Sequence, residues 1–200
     1  MIKNILFDIG SVLVSFQPYD YICDVVNDKK TADKLYKAIF CTKEWQMLDE
    51  GTITEDEAFE CFSKSCPEYR EIIEKIKYDW YRILTPIKGT VDIFHKLKKR
   101  GYKAYILSNY HDKAFDMIYN KYDFFKSFDG MVISSRVKLL KPDARIFRRL
   151  IDEYHINPEE TVYIDDLQSN LDAAEKFGFV TVLFKSPEEL DKQLKALNVL

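Results

Sequence analysis

The sequence predicts an α/β protein: a mainly parallel sheet with helices on both faces, plus an all-helical insertion after the first strand. Three observations carry this. From about residue 86 onward, strand-like and helix-like segments alternate, the pattern that builds parallel sheets through helical crossovers. A strand-like run at residues 2–8 stands apart from that series. Between the two, residues 17–85 carry helical periodicity and no clear strand.

In order along the chain, "ILFDIGSVLV" (5–14) opens with the apolar residues Ile5, Leu6, Phe7 and Ile9, interrupted by Asp8. In the insertion, "TADKLYKAIF" has helical spacing and "TEDEAFECF" starts with Thr54 and Glu57 spaced as a capping box. "YREIIEKIKYDWYRIL" repeats apolar residues at three and four positions. Thr90 is the expected N-cap of "VDIFHKLKKR", with Gly101 as its stop. There follow a strand "YKAYIL", a helix "DKAFDMIYNKY", a strand "FDGMVIS" and an amphipathic helix "PDARIFRRLIDEYH". "TVYID" is a strand, "NLDAAEKFG" a helix ended by Gly178, and "VTVLF" a last strand. Ser186, Pro187 and Glu189 then form a second capping-box signature. Residues 1–16 and 86–200 are therefore expected to form the sheet domain, and 17–85 a helical domain.

Composition narrows the function classes. The net charge is −3 with both signs mixed, so neither nucleic acid nor an anionic membrane is an expected partner. The basic stretch "KLKKRG" falls at a helix end, where cations suit the dipole. No segment approaches the ~20 apolar residues of a membrane span, and "MIKNILFDIG" is too short and too acidic for a signal peptide. Cys23, Cys41, Cys61 and Cys66 make no CxxC pair and are read as thiols of a cytoplasmic protein. With His95, His111 and His155 remote from them, no zinc site is predicted.

Ligands of an open parallel sheet bind at the carboxyl ends of its strands. Those positions hold Asp8 after the first strand, Ser108 and Asn109 after the second, Lys141 after the third, and Asp165 with Asp166 after the fourth. Each alone has an ordinary explanation as a cap or turn residue. The joint occurrence is far more specific. Three carboxylates and one lysine in one cleft repel each other without a divalent cation, and carboxylate oxygens suit Mg²⁺.

In this order the segments "FDIGSVLV", "LSN", "KPDARIF" and "IDDLQSN" resemble the four motifs of the haloacid dehalogenase (HAD) superfamily, whose core is a Rossmann-like sheet and whose helical cap is inserted after the first motif. The likeness spans residues 5–170. "LDEGTITEDEAF" and "DDLQSNLDAA" are most similar to the branch with helical caps that holds the bacterial sugar-phosphate phosphatases, α-D-glucose-1-phosphate phosphatase among them. The resemblance implies that Asp8 attacks phosphorus and forms an aspartyl-phosphate. It implies Mg²⁺ held by Asp8, the Gly10 carbonyl and Asp166, with Asp165 acting through water or as a weaker ligand. Ser108, the Asn109 amide and Lys141 would bind phosphoryl oxygens, Lys141 would balance Asp8, and Asn170 would orient the acidic loop. The substrate would be a small phosphorylated metabolite, and the oligomeric state is left open.

One departure stands out. Phosphatases of this superfamily mostly carry a second aspartate two residues after the nucleophile, as acid and then base, and here that position is Gly10. Such help is worth roughly 10²–10⁴-fold. The sugar-phosphate branch also tends to glycine here, and substrate hydroxyls, water or His111 could substitute. Two other functions stay open: a metal-independent 2-haloacid dehalogenase using Asp8, and a binding or regulatory protein without turnover. The intact acidic pair favours the phosphatase. Trp45, Leu48, Glu50 and Thr52 in the insertion are candidates to reach the substrate, although packing for Trp45 and Leu48 and solvent exposure for Glu50 is the favoured reading of each alone.

Overall fold

The computed structural model describes residues 1–200. Five strands, β1 (Asn4–Phe7), β2 (Lys103–Ser108), β3 (Gly130–Ile133), β4 (Thr161–Asp165) and β5 (Val180–Leu183), form one sheet in the order β3-β2-β1-β4-β5. Every pairing is parallel, and Asn4 sits opposite both Lys103 and Thr161. The central strands are apolar at successive positions because both faces of a parallel sheet are covered.

Period-two alternation divides their side chains between two cores. Ile5, Phe7, Ile106, Val162 and Ile164 enter one. Leu6, Tyr105, Leu107 and Tyr163 enter the other. Helices α6 (Lys88–Lys99), α7 (Asp112–Lys121) and α11 (Pro187–Ala196) cover the first face through Phe94, Phe115 and Leu190. Helices α9 (Ala144–Tyr154) and α10 (Gln168–Glu175) cover the second through Phe147 and Leu171. A one-residue slip of β1 would exchange the two sets, so the register is tightly specified.

Between β1 and α6 the chain is helical: α1 (Pro18–Val26), α2 (Lys29–Phe40), α3 (Lys43–Glu50), α4 (Glu55–Ser65) and α5 (Arg70–Asp79), with short 3₁₀ turns. Asp28, Thr42 and Thr54 cap three of them by accepting backbone N–H bonds, and Glu57 completes the box at Thr54. The buried apolar cluster of the first sheet face continues unbroken into this insertion through Phe59, Trp45 and Trp80. The chain leaves and re-enters the sheet through neighbouring segments: Ser15 N–H donates to Thr85 O (2.7 Å) and Ile87 N–H to Leu13 O (2.9 Å).

Some local expectations are corrected. Thr90 is not a cap: α6 begins at Lys88, because Ile87 is already fixed by its bond to Leu13, and the Thr90 hydroxyl is buried without a partner. Ser186 does cap α11, but Glu189 does not return the bond. Helices α1 and α3 fall in stretches with no individual sequence assignment, and so does a single turn, α8 (Ser134–Val137), directly after β3. Gly51 ends α3 in the left-handed region (φ +71), and a Cβ there would lie 2.4 Å from Ser135 O of α8. Only glycine allows the end of α3 to sit this close to α8.

Candidate active site

β1, β2 and β4 deliver their polar residues to one edge. Asp8 lies one residue beyond β1, its N–H bonded to Ile164 O (2.9 Å), and its Oδ1 accepts the Ile9 N–H (2.7 Å). Lys141, in the loop after α8, reaches the same point. Its Nζ is 3.0 Å from Asp8 Oδ1 and 2.7 Å from Asp165 Oδ2, and it donates to Leu107 O (3.0 Å). Lys141 and Asp165 are buried. Ser108 ends β2 with a buried hydroxyl beside Asp8 that makes no hydrogen bond of good geometry.

The two acids of the pair are not equivalent. Asp165 is saturated: besides Lys141 it accepts from the Tyr163 hydroxyl, Leu167 N–H (2.8 Å) and Asn170 Nδ2 (3.0 Å). Asn170 thus anchors the acidic loop. Asp166 is half-buried, and apart from its own backbone N–H its carboxylate has no hydrogen-bond or ion-pair partner. One oxygen from each of Asp8, Asp165 and Asp166 lies within 4.8 Å of the others.

The electrostatics follow from this crowding. Burial pushes the Asp8 carboxyl up to about 7; Lys141 opposes that, and Asp165 and Asp166 add to it. Burial, then Asp165, raises Asp166 as well. Asp165 goes the other way: burial raises it, but Lys141 and the Tyr163 hydroxyl outweigh burial. Burial opposes the Lys141 ammonium, and the two carboxylates more than restore it. Three carboxylates around one ammonium leave an excess of negative charge. The Gly10 carbonyl oxygen accepts no hydrogen bond. An all-oxygen donor set with a free carboxylate and a free carbonyl fits a hard divalent cation such as Mg²⁺.

The Asn109 side chain holds the backbone of Lys141 by both its C=O and its N–H. Its Nδ2 donates to Lys141 O (3.0 Å) and its Oδ1 accepts from Lys141 N–H (2.8 Å). Its own backbone N–H has no acceptor within the chain. A cavity of about 70 Å³ flanks this edge, lined by Gly10, Trp45, Asp49, Trp80, Asn109 and His111 among others.

A family model for haloacid dehalogenase-like hydrolases matches residues 7–184. The chain belongs to this family. Among curated members, D-ribitol-5-phosphate phosphatase of Bacteroides thetaiotaomicron is 29% identical over 201 residues, covering 90% of this chain and 91% of the relative. The chain spans about a third or less of the longer curated relatives that it matches. In fold, this haloacid dehalogenase-like chain is similar to the HAD enzyme BT-2542 of B. thetaiotaomicron in complex with magnesium and inorganic phosphate. The TM-score is 0.71 at 22% identity, over 93% of this chain and 96% of that one. A structure of a dehalogenase matches as closely, with a TM-score of 0.75 at 20% identity over 96% and 97%. Overall shape therefore does not choose between the two chemistries.

Within this family frame, Asp8, Ser108, Lys141, Asp165 and Asp166 converge, while the Asn109 side chain serves the Lys141 backbone. Of the residues expected from the insertion, Trp45 lines the cavity, whereas Leu48 is buried in packing. Glu50 lines an outer groove with Lys141 and Arg145, and the Thr52 hydroxyl bonds Met47 O locally. Asp49, absent from that expectation, lines the cavity. The signal was available: Asp49 follows Trp45 by one helical turn, so both share a face of α3.

His111 is corrected as a proton source. Its ring packs on Trp80 (5.1 Å) and Trp45 (5.6 Å), and neither ring nitrogen has a partner. Burial pushes it down to about 4, so it is neutral at pH 7. The unfolded chain then binds a proton between pH 6.5 and 4 that the folded one refuses, and stability falls as pH drops through that window. In His111→Phe this loss is absent. At about 1.4 kcal/mol per pH unit, the variant's advantage over wild type should grow by about 2.5 kcal/mol from pH 7.5 to pH 4.5 in urea unfolding. An advantage equal at both values refutes the neutral buried imidazole.

Proposed function

We propose that the chain is a Mg²⁺-dependent phosphatase of small phosphomonoesters, of the sugar or sugar-alcohol phosphate class, acting through an aspartyl-phosphate on Asp8. The observation that carries the reading is Asp166. A carboxylate that no other residue pairs with, close to two others, has no use in displacement at carbon and a direct one as a metal ligand. The phosphate named in the D-ribitol-5-phosphate relative and the magnesium and phosphate bound by BT-2542 support it.

In this reading Asp8, the Gly10 carbonyl and Asp166 hold the cation, and Asp165 stays tied to Lys141 and Asn170. When bound, the cation neutralises the acidic cluster and draws charge from the phosphoryl oxygens. The Ser108 hydroxyl and Asn109 N–H, both without good partners in the chain, donate to those oxygens. Lys141 keeps the phosphoryl group and Asp8 oriented for in-line attack. Phosphoryl transfer asks for such positioning and charge more than for covalent chemistry. Four unpaired cysteines, two of them exposed, support a reducing, cytoplasmic setting.

The test is phosphate release from a panel of sugar phosphates, polyol phosphates and p-nitrophenyl phosphate, with Mg²⁺ or chelator, beside chloride release from 2-chloropropionate. Phosphate release is expected, lost in chelator, and reduced ~10²-fold or more in Asp166→Asn. Chloride release that survives chelation would establish the dehalogenase instead. Phosphate binding without either product would establish a protein that binds and does not turn over.

A further inference from the structure

Gly10 leaves the leaving-group side of the site without the acid that phosphoryl transfer from an alcohol's phosphate ester needs. The fold does not impose this glycine. A Cβ on Gly10 would meet no atom within 4 Å, and the open space beside it is the 70 Å³ cavity. A group of that cavity can therefore stand where a side chain at position 10 would have stood.

The cavity walls reduce the choice. Phe16, Trp45 and Trp80 carry no proton suited to transfer between oxygens. The Asn109 amide is committed to the N–H and C=O of Lys141. Tyr110 is buried and stays a phenol, burial raising it far above its ordinary value. His111 is neutral, with its ring held among Trp45, Trp80 and Tyr81. Asp49 remains. Its main chain is held in place, since the Ser134 hydroxyl at the start of α8 donates to Asp49 O and accepts the Tyr110 N–H. Two residues on, Gly51 seats the same turn against Ser135. Asp49 lines both the cavity and the outer groove that reaches Lys141.

Resting on the phosphatase reading above, we propose that Asp49, supplied by the insertion, is the acid and base of the reaction in place of the side chain missing at Gly10. Burial, then the Asp8 charge, pushes its carboxyl up to about 7, against the pull of the His111 backbone and Lys141. A carboxyl raised by burial holds its proton to higher pH than an exposed one, as the acid for a departing alcohol must.

In the first step Asp8 Oδ bonds to phosphorus as the P–O bond to the alcohol breaks. The electron pair stays on the leaving oxygen, which takes the Asp49 proton and departs as the alcohol. In the second step the Asp49 carboxylate takes a proton from water as the water oxygen bonds to phosphorus. The bond from phosphorus to Asp8 breaks, inorganic phosphate forms, and both aspartates return to their starting states.

The experiment compares leaving groups. Asp49→Asn and Asp49→Ser are assayed with Mg²⁺ on p-nitrophenyl phosphate, whose phenolate departs unaided, and on a sugar-alcohol phosphate, whose alkoxide does not. Circular dichroism and melting temperature select whichever variant keeps the native fold. The expected kcat/KM falls roughly 10²–10⁴-fold for the alkyl ester and stays within about 5-fold for the aryl ester, because kcat/KM reports the first, bond-breaking step. A burst of p-nitrophenol followed by slow turnover would mark the lost base in the second step. If a folded variant loses both substrates equally, or neither, Asp49 is not the acid and the phosphatase reading stands. If wild type releases phosphate from no ester, the phosphatase reading falls, and the role of Asp49 with it.

Discussion

Asp8→Asn is expected to reduce kcat by on the order of 10⁴–10⁶-fold while leaving the protein folded, the scale seen when a covalent nucleophile is removed. The change is isosteric and deletes one charge from a cluster of three carboxylates within 4.8 Å of each other. It relieves repulsion with Asp165 and Asp166 as it gives up the 3.0 Å contact to Lys141, so the melting temperature without metal should move little. The measurement is steady-state phosphate release with Mg²⁺, beside a melt of the same sample. Residual activity above 1% with a wild-type melt would show that another group attacks.

Lys141→Met should be costly twice. Lys141 Nζ lies buried between Asp8 (3.0 Å) and Asp165 (2.7 Å), and removing one partner of a buried ion pair typically costs about 3–5 kcal/mol because the remaining charges are uncompensated. Urea unfolding at pH 7.5 should show that loss. At pH 4.5 it should shrink, since carboxylates left without Lys141 take up protons there and cease to repel. Activity should fall by about 10²–10³-fold or more, the usual worth of a lost charge-stabilising donor. A variant as stable as wild type at pH 7.5 would mean that Lys141 contributes nothing net to the fold.

The core of this site was legible because topology does the work. Asp8, Ser108 and Asp165 each follow an apolar strand run, and parallel strands of one sheet end at one edge. Lys141 was harder, since the unforeseen turn α8 separates it from β3, yet "KPDARIF" marks it. What escaped depends on distant packing. Nothing local says that Asn109 bonds the backbone of Lys141, or that His111, followed by Asp112 and Lys113, is buried by Trp45 and Trp80. Asp49 reads as a surface acid until α3 is seated by Gly51 against α8. Thr90 failed as a cap for a related reason: the bond from Ile87 to Leu13 starts the helix earlier than local chemistry suggests.

The paired crossings at Leu13–Ser15 and Thr85–Ile87 have a consequence for how such a chain can diversify. Entry and exit lie side by side, so a helical insertion of another length or sequence can be spliced between them without stretching the sheet. In a chain with an acid at position 10, such an exchange would alter which substrate is admitted and leave the proton chemistry in the core. Here, with Gly10 and Asp49 on opposite sides of the splice, the module would carry its own proton shuttle. Recombination would then exchange recognition and acid–base function as one heritable unit.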